Sequence, residues 1–163
     1  MMSSHIVLPR EGHLEQVYHM FSYLKKYHNM ELVFDPSEPE IEGSMFECQD
    51  WASSKFRHVL EEGRELPPNM PQSRGVGFVI RAKNNTDYAA DTFTRQSRTG
   101  FIVYANCAPI FWFSKKQNSV ESSSFGSEFM AMKACCEYLR GFRYRLQMMG
   151  IPCEVQAYIY RDN

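Results

Sequence analysis

The chain has 163 residues, of which 44% are hydrophobic and 14% aromatic. This length allows one domain with an appendage, and the composition excludes an intrinsically disordered chain. The formal net charge of -1 neither favours nor excludes a polyanionic partner. No apolar run approaches the roughly 20 residues that span a bilayer, so we predict no association with a membrane.

Charge is distributed unevenly along the sequence. Residues 1–75 carry seven Lys/Arg and twelve Asp/Glu, a net of -5, whereas residues 95–145 carry eight Lys/Arg and three Asp/Glu, a net of +5. A basic segment is a weak indication of a nucleic-acid partner, and a solvated helix face with a hairpin explains it equally well. The five cysteines form no C-x-x-C pair and no signal peptide is visible, which predicts reduced thiols in an intracellular protein, cytoplasmic or nuclear.

The first half of the chain predicts few regular elements. Residues 10–28 have the spacing of an amphipathic helix, and residues 30–34 favour a short strand that stops before a proline. Residues 51–62 favour a short helix. The glycines and prolines of residues 63–75 indicate a linker, and we place the domain boundary there. The apolar stripe of the first helix consists of Leu14, Val17, Tyr18, Phe21 and Leu24.

The second half predicts an α/β domain. Strands are expected at residues 76–82, 99–105 and 109–113, with a turn at residues 106–108. A serine cluster then caps a long helix that ends near residue 149, and a fourth strand follows at residues 155–160. Three antiparallel strands, a long helix and a fourth strand parallel to the first give the architecture. The predicted buried stripe of the helix consists of Phe125, Phe129, Met132, Cys136, Leu139, Phe142 and Leu146.

Four motifs occur in this second half in a fixed order. They are NTDYAAD (85–91), TRQSRTGF (94–101), FWFSKKQNSVESSS (111–124) leading into SEFMAMK (127–133), and IYRDN (159–163). In this order they resemble the RNase H-like domain of copia-type (Ty1/copia) retrotransposon Pol polyproteins, which implies a partial RNase H-like fold over residues 76–163.

The resemblance extends upstream. Residues 8–36 are similar to the segment that follows the reverse-transcriptase palm in the same polyproteins, so residues 1–36 are expected to be a helix–strand segment of that kind. Residues 37–75 then form an acidic and proline-rich connector. The Asp-Asp motif of the polymerase is absent, so we expect no polymerase activity.

The resemblance implies a Mg²⁺-dependent endoribonuclease that hydrolyses the RNA strand of RNA–DNA hybrids during reverse transcription, with the rest of a Pol polyprotein as its partner. A two-metal centre needs several anionic oxygen ligands on one small surface. The family motifs place the catalytic and metal-binding carboxylates at Glu128, Asp162 and Asp87, and the family's first Asp falls at Asn85. Read without the family, Glu128 is an ordinary residue at a helix N-terminus and Asp162 a turn residue.

Several departures from the family pattern predict impaired hydrolysis. Asn85 offers a neutral amide where the family has a carboxylate, and Arg161 stands where the family has a small or acidic residue. The chain also stops after the fourth strand, so we expect the domain to be truncated and to lack its last ligand. The residues expected to contact phosphates flank the hairpin, although solvated surface is the alternative for each; they are Arg95, Arg98, Lys115 and Lys116.

Three functional hypotheses remain open on sequence alone. The first is a metal-dependent ribonuclease working within a larger polyprotein. The second is a non-catalytic remnant of a retroelement that binds nucleic acid or a protein. The third is a relic with no selected function. The substitution at Asn85 and the expected truncation favour the second and third.

Overall fold

The computed structural model describes residues 10–43, 53, 67–91, 93–153 and 156–161, and the chain divides into two compact units, Met1–Val33 and Phe34–Asn163. In the first unit, helix α1 (Glu11–Lys26) confirms the predicted helix, and none of its side chains is buried. The predicted boundaries at residues 36 and 75 stay predictions. The predicted helix at residues 51–62 lies outside the described residues except for Ser53.

One predicted strand of the first half is wrong. Residues 30–34 are irregular, although Val33 and Phe34 are residue types that favour strands. Met30, Val33 and Phe34 are each more than 60% exposed. A strand needs a neighbour that pairs its backbone groups, and within the described residues this segment is part of no sheet.

The second unit contains one four-stranded sheet and one long helix. The strands are β1 (Ile80–Asp87), β2 (Arg98–Ala105), β3 (Ala108–Lys116) and β4 (Tyr158–Arg161), and helix α2 (Ser124–Met148) connects β3 to β4. The strand order is β3-β2-β1-β4. β1 is antiparallel to β2 and parallel to β4, and β2 is antiparallel to β3. The predicted α/β topology is confirmed.

The strand boundaries differ from the prediction in β1, β3 and β4, and β4 begins at Tyr158 rather than at residue 155. β1 begins at Ile80 rather than at residue 76 and continues through five polar residues to Asp87. These polar residues extend the strand because each pairs with β2, from Lys83 opposite Ile102 to Asp87 opposite Arg98. β3 likewise runs on to Lys116, which pairs with Arg98. Backbone pairing with β2 therefore outweighs the low strand propensity of these side chains.

The two faces of the sheet differ in burial. Along β1, Ile80, Ala82 and Asn84 are buried, whereas Lys83 and Asn85 are exposed. Because side chains alternate along a strand, we call the side packed against α2 the helix face and the opposite side the outer face. The core lies on the helix face and joins sheet to helix through Ile80, Ala82, Phe101, Val103, Cys135, Leu139, Leu146 and Cys153.

Helix α2 packs through a different stripe from the predicted one. Its buried residues are Ser127, Ala131, Cys135, Leu139 and Leu146. The prediction was right for Leu139 and Leu146 but wrong for Phe125 and Phe129, which are 69% and 59% exposed, and for Cys136, which is exposed beside buried Cys135. The small side chains at the N-terminal half of the stripe let the helix approach the sheet closely, and a phenylalanine there would hold the two apart.

The ends of α2 follow the predicted capping. Ser123 is the N-cap, and its Oγ accepts a hydrogen bond from the Gly126 N–H at 3.1 Å. Gly150 follows the helix with φ of +75°, a conformation that glycine adopts without steric cost. In the part of the chain that the structure describes, no helix has the length and apolar character needed to cross a bilayer. No disulfide joins the four described cysteines.

We predict that Leu139→Ala and Phe129→Ala differ sharply in their cost to stability. Leu139 is 3% exposed in the core, so its truncation is expected to lower the free energy of unfolding by about 2–5 kcal/mol. Phe129→Ala is expected to cost less than about 1 kcal/mol, because the ring is largely solvated. Urea denaturation followed by circular dichroism measures both. Equal costs would place the predicted stripe, and not the observed one, against the sheet.

Candidate functional site

Polar side chains converge where α2 begins over the helix face of the sheet. Gln117, directly after β3, is 7% exposed. Its Nε2 donates hydrogen bonds to Thr99 Oγ1 at 3.1 Å and to the Ser127 carbonyl at 2.9 Å, and it lies 3.5 Å from Thr86 Oγ1. One side chain therefore ties the ends of β1 and β2 to the first turns of α2.

Glu128 follows Ser127 on α2 and lies beside the fourth strand. Its side chain is 27% exposed, and its Oε2 accepts a charged hydrogen bond from the Arg161 guanidinium. Arg161 belongs to β4 and pairs in register with Asn84 of β1. Glu128 is thus located at the corner formed by α2, β4 and β1, and a cation of the protein itself neutralises it.

The two neighbouring asparagines of β1 lie on opposite faces of the sheet. Asn84 is 4% exposed on the helix face, and its buried Oδ1 accepts no hydrogen bond from any residue that the structure describes. Asn85 is exposed on the outer face, where its Oδ1 accepts the N–H of Thr86 at 2.6 Å. Asn84, and not the family-aligned Asn85, is therefore the β1 residue that shares the helix face with Arg161.

The remaining predicted carboxylates are separated from Glu128 or lie outside the described residues. Asp87 is exposed at the end of β1, where it pairs with Arg98. Among the described residues, no hydrogen bond or ion pair links Glu128 to Asp87 or Asn85. Asp162 lies outside the described residues.

The donor set of the described residues does not fit a two-magnesium centre. Such a centre needs several carboxylates within a few ångströms. Within the described residues, no three His, Cys, Asp or Glu side chains form a group that could hold a metal ion. Among the described residues of the corner the one carboxylate is that of Glu128, and it already has a guanidinium as its counter-charge.

The four predicted phosphate-binding residues do not share one surface. Arg98 and Lys116 pair across β2 and β3 on the outer face, whereas Lys115 pairs with buried Thr99 and so lies on the helix-face side. Arg95 is exposed in the loop between β1 and β2, with φ of +58°.

Lys116 and the loop after β1 are joined through Asp91. Lys116 Nζ donates to Asp91 Oδ2 at 2.7 Å, while Asp91 Oδ1 accepts the N–H groups of Phe93 and Thr94 at 3.0 and 3.1 Å. The hydrogen bond from Lys116, followed by those from Thr94, holds the pKa of Asp91 well below its usual range. Asp91, the last acidic residue of the NTDYAAD motif, therefore anchors the loop and neutralises Lys116.

Sequence reasoning missed three features of the site around the start of α2. The alternation of Ile80 and Ala82 along β1 could have indicated that Asn84 continues the buried face. Gln117 belongs to a quoted motif, but its role depends on contacts with three separate segments. The ion pair between Arg161 and Glu128 joins residues 33 positions apart, and no local pattern reveals such a contact.

Comparison with known proteins supports the resemblance drawn from the motifs. The retrovirus-related Pol polyprotein from transposon RE2 of Arabidopsis thaliana is 33% identical over 90 residues, which are 55% of this chain and 6% of that polyprotein. The corresponding polyprotein from transposon RE1 of the same plant is 31% identical over 90 residues, with the same coverage. The chain is similar to part of a retrotransposon Pol polyprotein. The predicted resemblance to copia-type polyproteins is confirmed, at modest identity over about half of the chain.

A third relative is an uncharacterized mitochondrial protein of Arabidopsis thaliana, 38% identical over 53 residues, which are 32% of this chain and 22% of that protein. No protein-family model matches the sequence, and no solved structure matches it. The match spans only a small part of each Pol polyprotein. The likeness therefore supports a retroelement origin and leaves the activity of the whole polyprotein a matter of proposal.

We predict that Asp91 makes stability depend on pH in the acid range. Its pKa is lowered in the folded state, so the unfolded chain binds more protons there, and stability falls as pH drops from about 4 towards the lowered pKa. Asp91→Asn is expected to remove this component, so that the urea midpoint of the variant changes less than that of the wild type between about pH 5 and pH 2. Parallel pH profiles would mean that the Lys116–Asp91 pair contributes nothing in solution.

Proposed function

We propose that residues 76–163 are a retroelement-derived RNase H-like module in which hydrolysis of the RNA strand of RNA–DNA hybrids is strongly reduced. The strand order, the long helix and the similarity to two retrotransposon Pol polyproteins support the origin. The ion pair between Glu128 and Arg161 is the observation that supports reduced activity. It neutralises the carboxylate that the family motif assigns to metal binding.

The proposed loss of activity follows from electrostatics. A pair of Mg²⁺ ions at such a centre supplies on the order of several kcal/mol of transition-state stabilisation. At the corner in this chain, Asn84 contributes a neutral amide and Arg161 a positive charge. A neutral amide attracts a dication less than a carboxylate does, and a guanidinium repels it, so we propose that Mg²⁺ binds weakly.

A second candidate function is binding of a nucleic acid without cleavage, as a module of a Pol polyprotein. Arg95, Arg98 and Lys115 remain available for phosphates, since none of them has an ion pair among the described residues, whereas Lys116 is neutralised by Asp91. If all three contacted phosphates at once, log K would fall by roughly two to three for each decade of salt. Because Arg98 and Lys115 lie on opposite faces of the sheet, the observed slope is expected to be smaller. This number is small compared with dedicated nucleic-acid-binding proteins, so we expect weak and salt-sensitive binding.

We predict that replacing both Arg98 and Lys115 by Ala makes hybrid binding less dependent on salt. Each lost phosphate contact is expected to reduce the log–log slope by about 0.7–0.9. Fluorescence anisotropy of a labelled RNA–DNA hybrid, measured from low to moderate salt, gives the slope. The matched control is Lys133→Ala with Arg140→Ala, which removes two exposed cations of α2. If both double variants change the slope equally, the hairpin is not the nucleic-acid interface.

We predict that the wild-type chain shows no RNA cleavage attributable to Glu128. A labelled hybrid incubated with the protein and Mg²⁺ is expected to remain intact at the same level as with Glu128→Gln, because the carboxylate already has a counter-charge. Gel electrophoresis of the RNA strand over several hours measures the cleavage. Turnover by the wild type that Glu128→Gln abolishes would show that the module is an active nuclease.

A further inference from the structure

One row of side chains crosses all four strands on the outer face of the sheet. Within the described residues of the second unit, α2 packs on the helix face and leaves the outer face open. On that face Lys83 of β1 lies between Tyr160 of β4 and Ile102 of β2. Ile102 in turn lies opposite Trp112 of β3, which is 66% exposed. An exposed aromatic ring and an ammonium group therefore flank Ile102, roughly 10 Å apart across two strand spacings.

A glycine lines a groove beside this row. The groove has a volume of about 550 Å³, and Gly100 lies in its lining between Asn85 and Ser114 of the neighbouring strands. A Cβ added at Gly100 would meet no atom closer than 3.8 Å, so packing does not require a glycine here. Glycine weakens a strand interior and often marks a place where a ligand approaches the backbone closely. The open backbone at Gly100 therefore suits a ligand that enters the groove.

The outer face carries an excess of positive charge. Among the described strand residues, its carboxylate is that of Asp87, and its four cations are Arg81, Lys83, Arg98 and Lys116. Asp91 neutralises Lys116. Lys83 and Arg98 have no ion pair among the described residues. These two cations are therefore free to bind a negatively charged partner.

We infer that the outer face binds single-stranded nucleic acid, with a base stacked on Trp112 and backbone phosphates bound by Lys83 and Arg98. Exposed aromatic rings beside cations are the usual elements of single-strand binding surfaces. Within the described residues, the Trp112 ring has no contact with another ring or a cation, so a base can cover it. The excess of cations over carboxylates favours a chain of phosphates over a peptide.

The stacking surface distinguishes a single strand from an RNA–DNA hybrid. In a duplex the bases stack on one another, so Trp112 reaches a base face only if the duplex is disrupted. A single strand presents its base faces directly. Of the three residues proposed above for hybrid binding, only Arg98 belongs to the outer face. Single-strand binding by the outer face is therefore separate from the proposed binding or cleavage of hybrids.

Fluorescence anisotropy of a labelled oligothymidylate of about 16 nucleotides, added to the full chain, tests this. Trp112→Ala is expected to weaken binding at least about fivefold, the lower end of the loss for one stacked base. Lys83→Ala is expected to reduce the log–log salt slope by about 0.7. The matched control is Phe129→Ala, which removes an exposed ring from α2 and is expected to bind as the wild type does. The same strand annealed to oligoriboadenylate is expected to bind the wild type and Trp112→Ala equally.

Gly100→Val separates the groove from the stability of the sheet. Valine favours a strand and its Cβ has room, so the urea midpoint is expected to be kept or raised. Affinity for the oligothymidylate is expected to fall, because the new side chain fills the groove. Trp51→Phe leaves Trp112 as the sole tryptophan, and its fluorescence is expected to be quenched by the single strand and not by the hybrid.

Three outcomes overturn the inference. The first is failure of the wild type to bind the oligothymidylate at low salt. The second is an equal affinity of the wild type and Trp112→Ala, or an equal loss in Trp112→Ala and Phe129→Ala, with far-UV circular dichroism confirming the fold of each variant. The third is a dimer in sedimentation velocity without nucleic acid that Trp112→Ala dissociates, which assigns the outer face to a second copy of the chain.

Discussion

The close packing of α2 on the helix face of the sheet is the constraint on which the rest of the second unit depends. Ser127, Ala131 and Cys135 have no exposed surface at this contact, and burial raises the pKa of the Cys135 thiol to about 12. Because these side chains are fully buried, the helix cannot rotate about its axis without exposing them. Since Glu128 follows Ser127, that rotation places its carboxylate at the edge of the contact, where β4 runs alongside.

The alternation of side chains along β1 is the second constraint, and it decides which polar residues meet. Once Ile80 and Ala82 are buried beneath α2, Asn84 must follow them and Asn85 must face the other side. A shift of one residue in the pairing of β1 with β2 would exchange the two asparagines, but it would also expose Ile80 and Ala82. The apolar end of the strand thus determines the positions of the polar end, four residues away.

Much of the fold could be predicted from sequence because its signals are local. Caps and glycine mark the ends of α2, and the run of β-branched and aromatic residues marks β2. The errors occur where the structure of a residue depends on a partner that is distant in the sequence. Phe125 and Phe129 are apolar, but the close approach of helix and sheet favours smaller residues. Within the described residues, 30–34 have strand propensity but no paired neighbour, whereas residues 83–87 have little propensity but pair with β2. For the candidate site, the motifs single out Glu128 as a prediction, but they do not reveal its electrostatic partner, which lies 33 residues away.

The unpaired polar atoms divide the helix face into a stable end and a weaker end. Within the described residues, Asn84 Oδ1 and Gln117 Oε1 are buried without a hydrogen-bond partner. A buried polar atom left without one costs on the order of 1–3 kcal/mol, a large share of a typical stability of roughly 5–15 kcal/mol. Both atoms belong to the end of the sheet where α2 begins, while Leu139 and Leu146 pack with Ile80 and Val103 in the apolar core. A domain selected only for stability would fill the weak end with apolar side chains. The polar end is therefore the part of the domain that contributes least to stability, and the apolar end holds the fold.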